Sequence, residues 1–159
     1  MRKIGIMTWF QFDNYGTVLQ ALALQKTLSK YVEYVDIINY KNKTTRKRVF
    51  RGLFNILSAV INRLERQYYK LKFNTNNKNI NKTRLFSEFR NKNLKLTNEI
   101  QSADELIKLN NDYNIFICGS DQIWSPIHFD LNYFLDFAAP YKRLISYAPS
   151  FGVNSIDDA

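Results

Sequence analysis

Two short clusters in this 159-residue chain combine residue types that could do chemistry. The first is Asp13-Asn14-Tyr15-Gly16. Gly16 would let backbone approach a ligand closely, and a helix starting here would offer unpaired N–H groups and a positive dipole end to an anion. The Asp13 carboxylate could accept a proton or a sugar hydroxyl. The same residues also make a helix cap and turn, and spacing alone leaves both roles open. The second cluster is Gly119-Ser120-Asp121-Gln122-Ile123-Trp124. Carboxylate and amide groups bond ring hydroxyls in defined directions, and an aromatic face covers apolar C–H surface, so this mixture suits a sugar. A turn in which Asp121 caps a short helix and Trp124 joins the core fits the residues as well.

Both clusters follow short apolar runs of strand character. Lys3 to Thr8 reads as a buried strand, and Thr17 to Lys30 has apolar residues at 18, 21, 22, 24 and 28, the spacing of a helix with one buried face. Val32 to Tyr40 returns to strand character, so the first forty residues predict a parallel βαβ crossover. Ser102 to Glu105 resembles a capping box before a helix ending near Asn110-Asn111, and Tyr113 to Cys118 reads as the strand that delivers the second cluster. Tyr133 to Phe137 and Arg143 to Tyr147 are expected to be two further short strands. Open α/β sheets bind ligands at the carboxyl ends of their strands, where both clusters would lie.

Other chemistries find little support. His128 has no second histidine, cysteine pair or carboxylate cluster of metal spacing beside it, so no metal site is expected and a loop histidine is the better reading. Cys118 is the one cysteine, which excludes an internal disulfide and fits a small buried hydrophobe in a reducing compartment. No P-loop and no Gly-x-Gly-x-x-Gly occurs. No apolar run approaches the ~20 residues of a membrane span, and no signal-peptide pattern opens the chain, so a cytoplasmic location is expected.

The net charge of +9 is unevenly spread. From Lys41 to Asn98 there are 16 Lys or Arg against only Glu65 and Glu88, while the remainder is net acidic. Leu53, Leu57, Val60, Ile61, Leu64, Tyr68 and Leu71 recur at helical spacing in this segment. It reads as a basic, mainly helical insert over 41–98, with Asn74 to Asn81 as a loop before a short helix near Thr83 to Lys92. A solvated helical face and a peripheral contact of 41–72 with anionic lipid both suit it, and the latter would hold the protein at the inner face of the membrane. A specific nucleic-acid partner is not expected, since no interleaved aromatics or known recognition module appear.

Taken in order, Lys3-Ile-Gly-Ile-Met-Thr8, the stretch Asp13 to Gln25, Cys118-Gly-Ser-Asp-Gln-Ile-Trp-Ser-Pro126, Tyr133-Phe-Leu-Asp-Phe137 and Ile145-Ser-Tyr-Ala-Pro-Ser-Phe-Gly152 resemble the polysaccharide pyruvyl transferase family. The resemblance implies a Rossmann-like parallel sheet flanked by helices, residues 1–159 forming the N-terminal half of a two-domain enzyme similar to glycosyltransferases of the B type. It implies transfer of the enolpyruvyl unit of phosphoenolpyruvate, the donor substrate, to a glycan or lipid-linked glycan, giving a pyruvate ketal; no cofactor is implied. Asp13 and Asp121 are carried over as candidates to orient or deprotonate the acceptor. Asn14, Tyr15, Gly16, Gly119, Ser120, Gln122 and Trp124 are carried over as substrate-binding. Ser125 departs from the Asn more usual after the Trp. The donor-binding half would lie beyond Ala159, so this chain alone is expected to be inactive, with a partly apolar face where that half would dock. A noncatalytic glycan-binding or membrane-associated module of the same descent is the alternative.

Overall fold

The structure is a computed structural model that describes residues 2–41, 76–126 and 129–155. The chain divides into two compact units, one made of residues 1–43 and 89–159 and the other of residues 44–88. The apolar repeat from Leu53 to Leu71, and with it the lipid contact expected of 41–72, lies outside the described residues, as does His128.

Four parallel strands form the sheet: β1 (Lys3–Met7), β2 (Tyr34–Ile37), β3 (Ile115–Asp121) and β4 (Arg143–Pro149), in the order β2-β1-β3-β4. Strands covered on both faces need apolar residues at successive positions, which is why β1 and β3 read as nearly unbroken apolar runs. Ile4, Ile6, Val35, Ile37 and Ile117 pack on one face with Ala21 and Leu24 of helix α1 (Tyr15–Leu28). On the other face Met7, Phe116 and Cys118 meet Leu106 of helix α3 (Ala103–Lys108) and Leu135 and Phe137. A Cβ on Gly5 would come within 3.1 Å of the Phe116 ring, so the missing side chain makes room for that ring. The result is a four-stranded parallel sheet with helices on both faces.

The free side of β2 is covered by the extended segment 94–100, with parallel bridges from Ile37 to Leu96 and from Tyr40 to Ile100. Gln25 fixes this segment. Its amide is 3% exposed, donates to Val35 O at 2.9 Å and Lys95 O at 2.8 Å, and accepts from Lys95 N at 3.0 Å. At the opposite edge, β4 leaves Leu144, Ile145 and Tyr147 exposed.

Two sequence expectations are corrected. Helix α2 runs Asn76–Asn93, so Asn76 to Asn81 open the helix and do not form a loop before it, while Asn74 and Thr75 lie outside the described residues. Asn costs only a few tenths of a kcal/mol per helical position, too little to stop a helix. Tyr133 to Phe137 is not a strand, because Leu131–Phe134 is a 3-10 turn. Its cap is Asp130, whose Oδ1 accepts from Asn132 N at 3.0 Å, and Leu135 at φ 64° ends it in the left-handed region. The local carboxylate-to-backbone bond outcompetes ladder pairing, while Leu135 and Phe137 still reach the core.

The turn is tied to the strand layer through Tyr40. Its hydroxyl donates to Asp130 Oδ2 at 3.1 Å and accepts from Asn132 Nδ2 at 2.8 Å. Burial, then the Asp130 charge and hydrogen bond, push the Tyr40 phenol up to about 12, against a smaller lowering by Asn132. The folded state therefore holds this proton more tightly than the unfolded chain. The associated stability is fully present below pH 10 and is lost as pH rises through about 12. Urea unfolding at a series of alkaline pH values checks this: the native protein should lose stability faster than Tyr40→Phe across that window.

Candidate functional site at the strand-order switch

From β1 the chain turns through α1 to β2 on one side, whereas its other neighbour, β3, is reached only after the long excursion through 41–114. The strand order thus reverses between β1 and β3. Such a switch point splays the following loops apart and opens a crevice at the carboxyl ends of the strands. Thr8 and residues 9–16 leave β1 there, and Gly119-Ser120-Asp121 ends β3 beside them.

A polar network joins the two loops to α1. Buried Thr8 donates Oγ1–H to Ser120 O at 2.9 Å, and Ser120 donates Oγ–H to Gln20 Oε1 at 2.9 Å. Gln20 Nε2 lies 3.0 Å from Thr8 Oγ1 and 2.9 Å from both Trp9 O and Thr17 O, so its two hydrogens are shared among three acceptors. Among the described residues every buried side-chain nitrogen and oxygen has a partner. Gln20→Leu would strip partners from Ser120 and two carbonyls and should destabilise the fold by about 1–3 kcal/mol. Thermal unfolding measures that loss, and the same variant should loosen the 119–122 loop in amide hydrogen exchange.

The first cluster is distributed over several roles. Asn14 is the N-cap of α1, and its Oδ1 accepts from Thr17 N at 3.3 Å. Gly16 sits in the first turn of the helix, and Tyr15 is 72% exposed. Asp13 pairs through Oδ1 with Arg90 Nη1 at 3.1 Å, their side chains 26% and 14% exposed, and the same guanidinium reaches Phe12 O at 3.4 Å. Arg90 therefore clamps the loop that carries Phe12 and Asp13.

The second cluster turns sharply out of β3. Gly119 has φ +118° and Asp121 φ 102°. Asp121 Oδ1 accepts from Gln122 N at 2.8 Å, and its carbonyl accepts from Ser150 N at 3.0 Å, tying the loop to the end of β4. Gln122 is exposed. Trp124 stacks on Phe134 at 5.0 Å and 6°, leans on Phe151 at 5.8 Å, and donates its indole N–H to Tyr133 O at 3.1 Å. Cys118 is buried in the core beside these loops, and burial pushes its thiol up, keeping it protonated. Among the described residues no group of three or more His, Cys, Asp or Glu could hold a metal ion.

The loop after β1 forms a small cleft of about 50 Å³, lined by Thr8, Trp9, Phe10, Gln11, Phe12 and Tyr133. Sequence reading missed this cleft and the roles of Gln20 and Arg90. Gln20 carried one signal, a polar residue in the first turns of a largely apolar helix. Arg90 carried none, being one basic residue within a basic segment.

Among the described residues no helix is long and apolar enough to cross a membrane. Comparisons with curated proteins and with solved structures return no match. The family model described as "Polysaccharide pyruvyl transferase" matches residues 14–159, nearly the whole chain, beginning one residue after Asp13. With its motif loops gathered at the switch point of a parallel α/β sheet, this chain belongs to the polysaccharide pyruvyl transferase family.

Proposed function

We propose that the protein serves the transfer of an enolpyruvyl unit from phosphoenolpyruvate to a glycan sugar, and that the crevice between the β1 and β3 loops receives the acceptor. The observation that carries this reading is the position of Asp13 and Asp121 on adjacent loops at the switch point, within a chain that matches the family model. One acceptor hydroxyl adds to the enol carbon as the methylene takes up a proton, and a second displaces phosphate. The products are a cyclic ketal and inorganic phosphate, with no water consumed.

In this scheme the chain supplies acceptor-side groups. Asp13 Oδ1 is engaged by Arg90, which suits Asp13 to holding a hydroxyl in place. Asp121 Oδ1 meets the Gln122 N–H, with no ion pair to it among the described contacts, which suits its carboxylate to taking the hydroxyl proton. Groups that hold the donor phosphate belong to a second half of the fold, like that of the B-type glycosyltransferases. The test is to incubate the protein, joined to the half that holds the donor, with phosphoenolpyruvate and lipid-linked glycan, following phosphate release and the mass of the glycan. Equal amounts of phosphate and a glycan heavier by pyruvate less one water support the proposal. Glycan binding without phosphate release would instead favour a noncatalytic glycan-binding protein.

A further inference from the structure

We propose that Phe12 forms the platform on which the apolar face of an acceptor pyranose ring rests, with Trp9 as the perpendicular wall beside it, next to Asp13 in the chain. This inference rests on the transfer reading and adds the subsite that would position the sugar. Phe12 is 54% exposed although it stands beyond the carboxyl end of β1 on a cleft wall, where burying its ring would remove apolar surface from water. It meets Trp9 at 5.5 Å and 80°, and Tyr133 meets the same indole at 6.2 Å and 87°. Perpendicular walls of this kind bound a corner and do not close over one another. Trp124 stacks on Phe134, so one face of that indole is taken.

The polar surroundings fit a sugar lying on that platform. Arg90 holds Phe12 O and Asp13 Oδ1 together, so the backbone that carries the exposed ring is held beside the carboxylate. Gln11, on the cleft wall, is anchored by donation to Tyr40 O at 3.0 Å. A pyranose presents a face of C–H bonds with hydroxyls around its rim, so a ring seated on the aromatics would turn rim hydroxyls toward the neighbouring carboxylate. A flat apolar ligand would gain nothing from Asp13.

The experiment follows the two indole N–H resonances, assigned through Trp9→Phe, while methyl β-D-glucopyranoside or methyl β-D-galactopyranoside is added to the intact protein. The Trp9 resonance is expected to move saturably with at least one of the two, and erythritol, which has hydroxyls but no ring face, should not move it. Phe12→Leu keeps bulk at an exposed position, so folding is preserved while the aromatic face is lost, and affinity should fall about tenfold. A saturable shift at Trp124 alone, an unchanged affinity in Phe12→Leu, or no shift with either glycoside overturns the platform. None of these results touches phosphate release with the lipid-linked acceptor, so the platform and the transfer reading fail separately.

Discussion

Gly119→Ala should abolish stable folding or cost more than about 4 kcal/mol, far beyond the usual range for adding one methyl group. An alanine Cβ would sit 2.0 Å from Tyr147 O and 2.8 Å from Tyr147 C. These are backbone atoms of β4, directly opposite Gly119 in the β3–β4 register, so relief requires moving a strand rather than a side chain. The φ of +118° adds a conformational penalty of its own for any L side chain. Urea unfolding of the purified variant measures the effect. Gly16→Ala is the contrasting change. Its Cβ would meet only Asn14 Oδ1 at 3.2 Å, and its helical position favours alanine by about 0.5–1 kcal/mol if the cap side chain gives way. An unaltered fold with weakened acceptor binding in Gly16→Ala would show that this glycine serves the ligand and not the backbone.

The second large effect is expected at the carboxylates. Asp121→Asn keeps shape and the Gln122 hydrogen bond but removes the proton acceptor, so the rate of phosphate release should drop by about 10²–10⁴-fold with little change in acceptor KM. Asp13→Asn removes the negative partner of Arg90 and the hydroxyl anchor together, so its main effect should be a raised acceptor KM. Steady-state kinetics with varied glycan, with the donor-binding half present, separates the two roles. The opposite pattern, a KM effect at Asp121 and a rate effect at Asp13, would exchange their assignments.

How much of this was legible in the sequence follows from where each interaction is decided. Ile4, Ile6, Ile115 and Ile117 declare buried strands by composition, and Asn14 and Ser102 announce helix starts because capping is local. The Ser102 cap kept only half of its expected form, since Glu105 returns its carboxylate to Gln101 N at 2.7 Å. Strand neighbours are decided by packing between segments far apart, so nothing local revealed that β3 would insert between β1 and β4. The same holds for Ser120 with Gln20, 100 residues apart, and for Arg90 with Asp13, 77 apart. Residue types named the two loops; the topology brought them to one crevice. Tyr133 to Phe137 misled because its apolar residues serve the core from a turn, which composition cannot distinguish from a strand.

The most direct test of the account is to supply carbon-13-labelled phosphoenolpyruvate and the lipid-linked acceptor to the protein joined to its donor-binding half and watch the labelled carbon by NMR. The account predicts conversion of the enol carbon to a quaternary ketal carbon, matched by phosphate release and lost in Asp121→Asn. Saturable glycan binding with no ketal carbon and no phosphate would contradict it.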